Sequence, residues 1–366
     1  MTKIPLPSNT HSGTNSEQLQ SKVISFLRFP LCVAVVLIHV SVNLKDCQAY
    51  PIHYYLVHCF CKGIITRVAV PLFFMFSGFL FFYKLDKFTI STYRNKLVKR
   101  VRTLLIPYIF WNLALILYCL SLRFLGFNSQ FGIGFDFVDY LSFFWNSRVA
   151  PINGEGIASY PISIQFWYIR DLMVTVLLSP IIYWLTKKLH IYFVIALATL
   201  WITNYWPLIT GINIAALFFF SLGAYFSIYK KNFVEFLKPH TLLLGFAYLL
   251  TIVPILIAQE PNFNPLRRLG ILFGMGFIIS LAARYISTGK WRMNKFLSES
   301  SFFIFAYHIL AIRIIEAIVS FSFQKDIMCA ALYIAKSGFI VVAGLGIYYL
   351  LKRFMPRFTS FITGGR

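Results

Sequence analysis

Arg28 and His39 stand eleven residues apart in the stretch RFPLCVAVVLIH. On an α-helix that interval returns to within about 20° of the same face and rises about 16.5 Å. An imidazole titrates near neutral pH and can take up a proton, and a guanidinium fork matches phosphate or carboxylate oxygens. One helix face would then carry an anion contact near one end and a base deeper along it. A structural reading competes: Arg28 snorkels to headgroups and His39 hydrogen-bonds a neighbouring helix.

Other ionisable groups sit in equally apolar surroundings, where they are expensive and therefore functional candidates. RVAVPLFFMFSGFLFFYK contains Arg67 and Pro71, which is expected to kink the helix, and its Ser77-Gly78 pair permits close helix approach. Packing accounts for Pro71, Ser77 and Gly78, but less well for Arg67. KLDKFTISTYRNKLVKRVRTLLIPY crowds Lys96, Lys99, Arg100 and Arg102 together. This cluster reads either as a topology signal touching anionic lipid or as a phosphate site for a charged donor. In QFWYIRDLMV, Arg170 and Asp171 point about 100° apart on a helix, so each is expected to find its partner on another helix. Trp167 and Tyr168 beside them read as interfacial aromatics. In SFFIFAYHILAIRIIEAI, Arg313 and Glu316 at i,i+3 can pair locally. His308 there is either a second functional histidine or a packing hydrogen bonder. Cys59 and Cys61 form C-x-C with no second pair, so no metal site is expected.

The elements that must position these residues are membrane helices. Hydrophobic residues make up 58% of the 366-residue chain and charged residues 13%, against about 25% charged in a soluble domain. Apolar runs long enough to cross a hydrocarbon core about 30 Å thick recur along the chain. Ten spans are expected, at 24–44, 60–83, 103–125, 163–187, 191–207, 212–229, 241–258, 267–286, 301–321 and 331–351. The fold class is an all-α polytopic bundle with both termini cytoplasmic. It divides into a disordered N-tail (1–22), a transmembrane domain (23–353) and a C-tail (354–366). The stretch from Gly126 to Pro161 reads as the longest polar loop, with an interfacial helix near Phe135 to Trp145. The net charge of +22 does not indicate nucleic acid, because the basic residues lie between spans. The segments that ten spans would leave in the cytoplasm carry 22 of the 34 Lys and Arg residues, as the positive-inside rule requires.

Taken in order, these motifs resemble the membrane-bound acyltransferase family 3 over about residues 20–355. Arg28 and His39 match its basic residue, ten residues, then His. VPLFFMFSGF, KRVRTLLIPY, FWYIRDL, FFSLGAYFS and SSFFIFAYHIL resemble its later motifs. The basic motif departs from the usual Arg-x-x-Arg, with Lys99 and Arg102 at that spacing and Arg100 between them. Many members also carry a C-terminal SGNH-type domain. The sequence stops at Arg366 after a short tail, so the hydrophilic half of the chemistry is expected in the membrane portion or in a partner.

The resemblance implies acyl transfer, usually of acetyl, from cytoplasmic acyl-CoA to a sugar hydroxyl of an envelope or exported glycan, with no metal. Lys99, Arg100, Arg102 and Arg28 would hold the donor's phosphates. His39 would be the base and Asp171 would orient it, by the logic of a supported base. Arg67, Ser77, Trp167, Arg170, His308, Arg313 and Glu316 would serve substrate or structure. The expected partners are a glycan or lipid-linked glycan acceptor, membrane lipids and a second copy of the chain, with no nucleic acid. The expected location is the inner cell membrane. A secondary transporter or flippase is the alternative, although duplicated halves typical of transporters are not visible; a non-catalytic scaffold would not need so many costly groups. With both ends inside, a single cysteine introduced at residue 360 should be protected from impermeant thiol reagents in intact cells; labelling there would overturn the topology.

Overall fold

The computed structural model describes residues 10–42, 52–85, 87–126, 137–147, 159–258, 264–318 and 326–365. Among these, the chain forms a helical bundle with no strand, only an isolated bridge between Ile209 and Ile212. The helices are α1 (Thr10–His39), α2 (Ile52–His58), α3 (Ala69–Phe82), α4 (Ile90–Arg100), α5 (Ile106–Phe124), α6 (Phe137–Trp145), α7 (Trp167–Leu177) and α8 (Ser179–Leu189). They continue with α9 (Ile191–Thr203), α10 (Ile214–Ile228), α11 (Phe233–Leu237), α12 (Thr241–Ala258), α13 (Asn264–Ser287), α14 (Lys295–Ile318), α15 (Asp326–Phe354) and α16 (Pro356–Thr363). The helix α6 falls where an interfacial helix was expected, while most of the surrounding polar loop lies outside the described residues.

Among the described residues, seven helical segments are long and apolar enough to cross a membrane, and eight if α7 and α8, bent by 64°, form one span. The chain is therefore a multi-pass membrane protein. The remaining two expected spans are α9, of 13 residues, and α10, of 15. At 1.5 Å per residue they reach only about 20 Å and 22 Å. Local chemistry stops them. Asn204 ends α9 in the left-handed region at φ 59°, which asparagine tolerates better than most residues. Asn213 caps α10, its side chain accepting from the Ala215 amide at 2.7 Å. Between them a tight turn is closed by the Trp206 indole, which donates to the Ile212 carbonyl at 2.9 Å.

Several stretches depart from the α-helix, two of them long enough to matter for the site. Cys59–Ile64 is π-helical and Ile65–Val68 is 3-10. Pro71 falls in the first turn of α3, so it marks the start of regular helix rather than a kink within it. Lacking an N–H, it takes no part in an α ladder running upstream. Val101–Leu105 makes a second π-turn between α4 and α5 within one span, Ile90–Phe124. The first helix reaches back to Thr10, and the C-terminal stretch folds as α16 against α5, where the Trp111 indole donates to the Ile362 carbonyl at 3.0 Å.

Helices α3 and α10 cross in close backbone contact. A Cβ at Gly78 would lie 2.0 Å from the Phe220 carbonyl oxygen, and one at Gly223 1.9 Å from that of Met75. Lipid supplies no hydrophobic drive for helix association, so close packing of small residues has to hold such a pair. Phe74, Phe81, Phe82, Phe219 and Phe220 fill the space beside it and are fully buried.

Arg170 and Asp171 correct the expectation that each pairs with another helix. Asp171 Oδ1 accepts from Arg170 Nε and Nη2, both at 2.9 Å. The remaining nitrogen, Nη1, donates to the Trp145 carbonyl at 2.7 Å and to Ser159 Oγ at 3.4 Å. A long guanidinium can fold back across the 100° that separates adjacent residues. The buried pair thus ties the end of α6 and the chain entering α7 to α7 itself.

Gly223→Ala should destabilise the bundle by about 1–3 kcal/mol through overpacking, read as a lower thermal midpoint of the purified protein. Gly338→Ala is the control: its Cβ would meet nothing within 4 Å, so the midpoint should hold or rise.

Candidate active site

Contacts gather the basic connecting segments at one end of the bundle. Near the start of α1, Ser16 Oγ accepts from Asn232 Nδ2 at 2.6 Å and Glu17 from the Tyr83 hydroxyl at 3.5 Å. Phe26 stacks on Trp291 at 5.2 Å, the Tyr229 hydroxyl reaches the Thr186 carbonyl at 3.2 Å, and Lys352 pairs with Glu299. We call this the basic end.

A cavity of about 410 Å³ lies toward the basic end. Arg28 and Arg100 line it, with Ser77, Tyr168, Phe73 and Phe305. Arg28 makes no ion pair among the described residues, and Arg100 stacks over Phe81 at 5.8 Å. The π-turn beginning at Val101 follows Arg100 directly, and π-turns are frequent at functional sites. Lys99 and Arg102, expected beside Arg100, are exposed and do not line the cavity.

A second cavity of about 390 Å³ lies beyond it. His39, Lys62, Arg67, Arg267, Arg268, Arg313 and Glu316 line it, with Tyr160, Trp167 and Trp201. Its walls include the ends of the short helices α9 and α10. The partition between the cavities is about one layer of side chains. Phe73 and Tyr168 face the first cavity, while their chain neighbours Phe74 and Trp167 face the second. Tyr168 packs edge-on against Phe74 at 4.7 Å and Phe305 at 6.0 Å, and its hydroxyl lies 3.3 Å from Ser77 Oγ.

His39 stands at this partition, on the second cavity. Its Nδ1 lies 2.9 Å from the Val35 carbonyl and 3.3 Å from Nε2 of His308. His308 is fully buried and sets its own Nδ1 2.7 Å from the Phe305 carbonyl. A carbonyl can only accept, so these partners assign the proton to Nδ1 on both rings. The His308 Nε2 lone pair then faces the His39 Nδ1–H, and His39 Nε2 keeps a lone pair beside the cavity. Chemically, such a pair can serve as a base with an orienting partner. The partner is His308 rather than Asp171, whose carboxylate is engaged by Arg170.

Residues 22–354 match the family described as acyltransferase domain, acyltransferase 3. The chain belongs to that family. A curated relative of this acyltransferase is the succinoglycan biosynthesis protein ExoH of Rhizobium meliloti (strain 1021). The two are 25% identical over 368 residues, covering 94% of this chain and 92% of that protein. No solved structure gives a significant match.

The acyltransferase thus brings together residues far apart in sequence: Arg28 with Arg100, and His39 with Arg67, Trp167, Arg313 and Glu316. Arg313 and Glu316 form the expected local pair at 3.5 Å, and Lys336 shares the same carboxylate at 3.0 Å. Sequence reasoning passed over Lys62, Arg267 and Arg268. The signal that singled out Arg67, a cation inside an apolar run, was present for all three. The tautomer assignment is directly testable. Solid-state ¹⁵N spectra of histidine-labelled protein, assigned with a His39 variant, should show His39 protonated at Nδ1 and bare at Nε2. A proton on Nε2 would leave no lone pair facing the cavity.

Proposed function

We propose that this membrane O-acyltransferase moves an acyl group from a cytoplasmic acyl-CoA to a hydroxyl of an envelope polysaccharide or its precursor. The observation that carries the reading is the pair of cavities set back to back with His39 at their partition. The clustering of the basic segments at one end supports a cytoplasmic position for the first cavity, and the polysaccharide named in the relative supports a glycan acceptor. The membrane is then the inner cell membrane.

Arg28 and Arg100 hold the donor's phosphates at the mouth of the first cavity. The thioester arm extends along α1 and displaces the Tyr168–Phe74–Phe305 layer to reach His39. The acceptor hydroxyl enters from the second cavity. His39 Nε2 takes its proton as the oxygen attacks the thioester carbonyl. The imidazolium is stabilised through Nδ1–H by Val35 and His308. Collapse of the tetrahedral intermediate breaks the C–S bond, and His39 returns the proton to the departing CoA sulfur. The product ester and free CoA leave on opposite sides.

His39→Ala should fold yet lose about 10²–10⁴-fold in transfer, measured per folded molecule. His39→Gln should rescue little, since an amide takes no proton at neutral pH. His308→Phe keeps the ring volume but no acceptor, so kcat should fall up to about 10²-fold with both KM values little changed. His308→Gln should recover part of that loss. Arg100→Gln should raise the donor KM more than Arg102→Gln does. Normal specific activity in His39→Ala would overturn the assignment.

A further inference from the structure

The second cavity carries more positive charge than acyl transfer to a neutral hydroxyl needs. Five of its lining residues are cations, Lys62, Arg67, Arg267, Arg268 and Arg313, against the single carboxylate of Glu316 among the lining residues described. That carboxylate is itself shared between Arg313 and Lys336. Arg268 is the most telling of the five. Its side chain is 6% exposed and is held by the Trp201 carbonyl, by Asn204 Oδ1 at 2.6 Å and by the Trp201 ring at 5.7 Å. These partners fix its position without cancelling its charge. Neither Lys62 nor Arg268 has a carboxylate partner among the described residues. Arg268 is buried and Lys62 half-buried, and a cation held against protein rather than in open solvent keeps an attractive field for an anion, because its surroundings screen it less than water does.

Acyl-CoA does not account for this charge. The cavity lies across the aromatic partition from Arg28 and Arg100 and away from the basic end. Trp167, Trp201 and Tyr160 share its walls with the cations. Aromatic faces suit the apolar faces of sugar rings, and fixed cations beside them suit an acid carried by the same glycan. Building on the acyl-transfer reading above, we propose that this cavity recognises an anionic acceptor. The glycan would present a carboxylate or phosphate to Lys62, Arg267 and Arg268 while its hydroxyl meets His39. The charge then acts as the acceptor-selectivity determinant, separate from the chemistry at His39.

The test is a binding measurement that needs no turnover. Full-length protein in lipid nanodiscs would be titrated with a glucuronate-containing tetrasaccharide, its carboxyl-reduced neutral counterpart, farnesyl phosphate and coenzyme A. The acidic tetrasaccharide should bind roughly tenfold tighter than the neutral one, as expected for one charge-assisted contact. Lys62→Gln should remove most of that difference, Lys62→Arg should keep it, and neither should change the affinity for coenzyme A. Tight binding of farnesyl phosphate that depends on Lys62, with equal binding of the two sugars, would place the anion on a lipid carrier rather than on the glycan. Equal binding of the sugars with no Lys62-dependent binding of farnesyl phosphate would overturn the proposal. So would a loss of coenzyme A affinity in Lys62→Gln, which would return the cations to the donor. Failure of acyl-CoA to support transfer would be seen separately, by turnover, and would count against the reading of function rather than against the charge preference.

Discussion

A charged side chain within a membrane bundle must find an opposite charge, enough neutral hydrogen bonds, or a cavity that admits water or ligand. The arrangement of this protein follows from how each group meets that demand. Arg170 finds Asp171 and, with its remaining nitrogen, the end of α6. Arg268 uses neutral acceptors at the end of α9. Arg28 and Arg100 open onto one cavity, and Lys62 and Arg67 onto the other. The first solution ties elements together, the last leaves charge facing open space, and Arg268, held by neutral acceptors while lining a cavity, shares in both.

Much of the architecture could be read from the sequence because hydrophobic length is a strong signal. The long spans and the family motifs fall where apolar runs and spacing place them. The two short helices could not be read so easily. Their runs continue in composition past Thr203 and before Ile214, but Asn204 and Asn213 end the helices through backbone conformation and capping, which hydropathy does not measure. The Arg170–Asp171 pair was missed for a related reason. Angular separation on a helix describes where Cβ atoms point, and a four-bond side chain need not follow.

The site was legible one residue at a time but not as an assembly. Spacing along α1 put Arg28 and His39 on one face, yet nothing in the sequence says that His308, 269 residues away, meets His39. Periodicity also failed at the basic cluster. Lys99, Arg100 and Arg102 look equivalent in a run of basic residues, and a π-turn directly after Arg100 changes the register on which such a comparison rests. Arg100 alone of the three reaches the cavity.

The shortness of α9 and α10 bears on the surrounding lipid. Tyr192 and Ile195 project from α9 as exposed side chains, so this helix faces outward. A helix of about 20 Å beside a hydrocarbon core of about 30 Å creates hydrophobic mismatch, which the bilayer relieves by thinning locally or by letting headgroups and water descend. The polar groups of the second cavity, set beside those helix ends, then lie nearer to water than their depth in an undisturbed bilayer implies. A sugar approaching this flank would then have a shorter way to travel than the mid-plane of a full-thickness membrane requires.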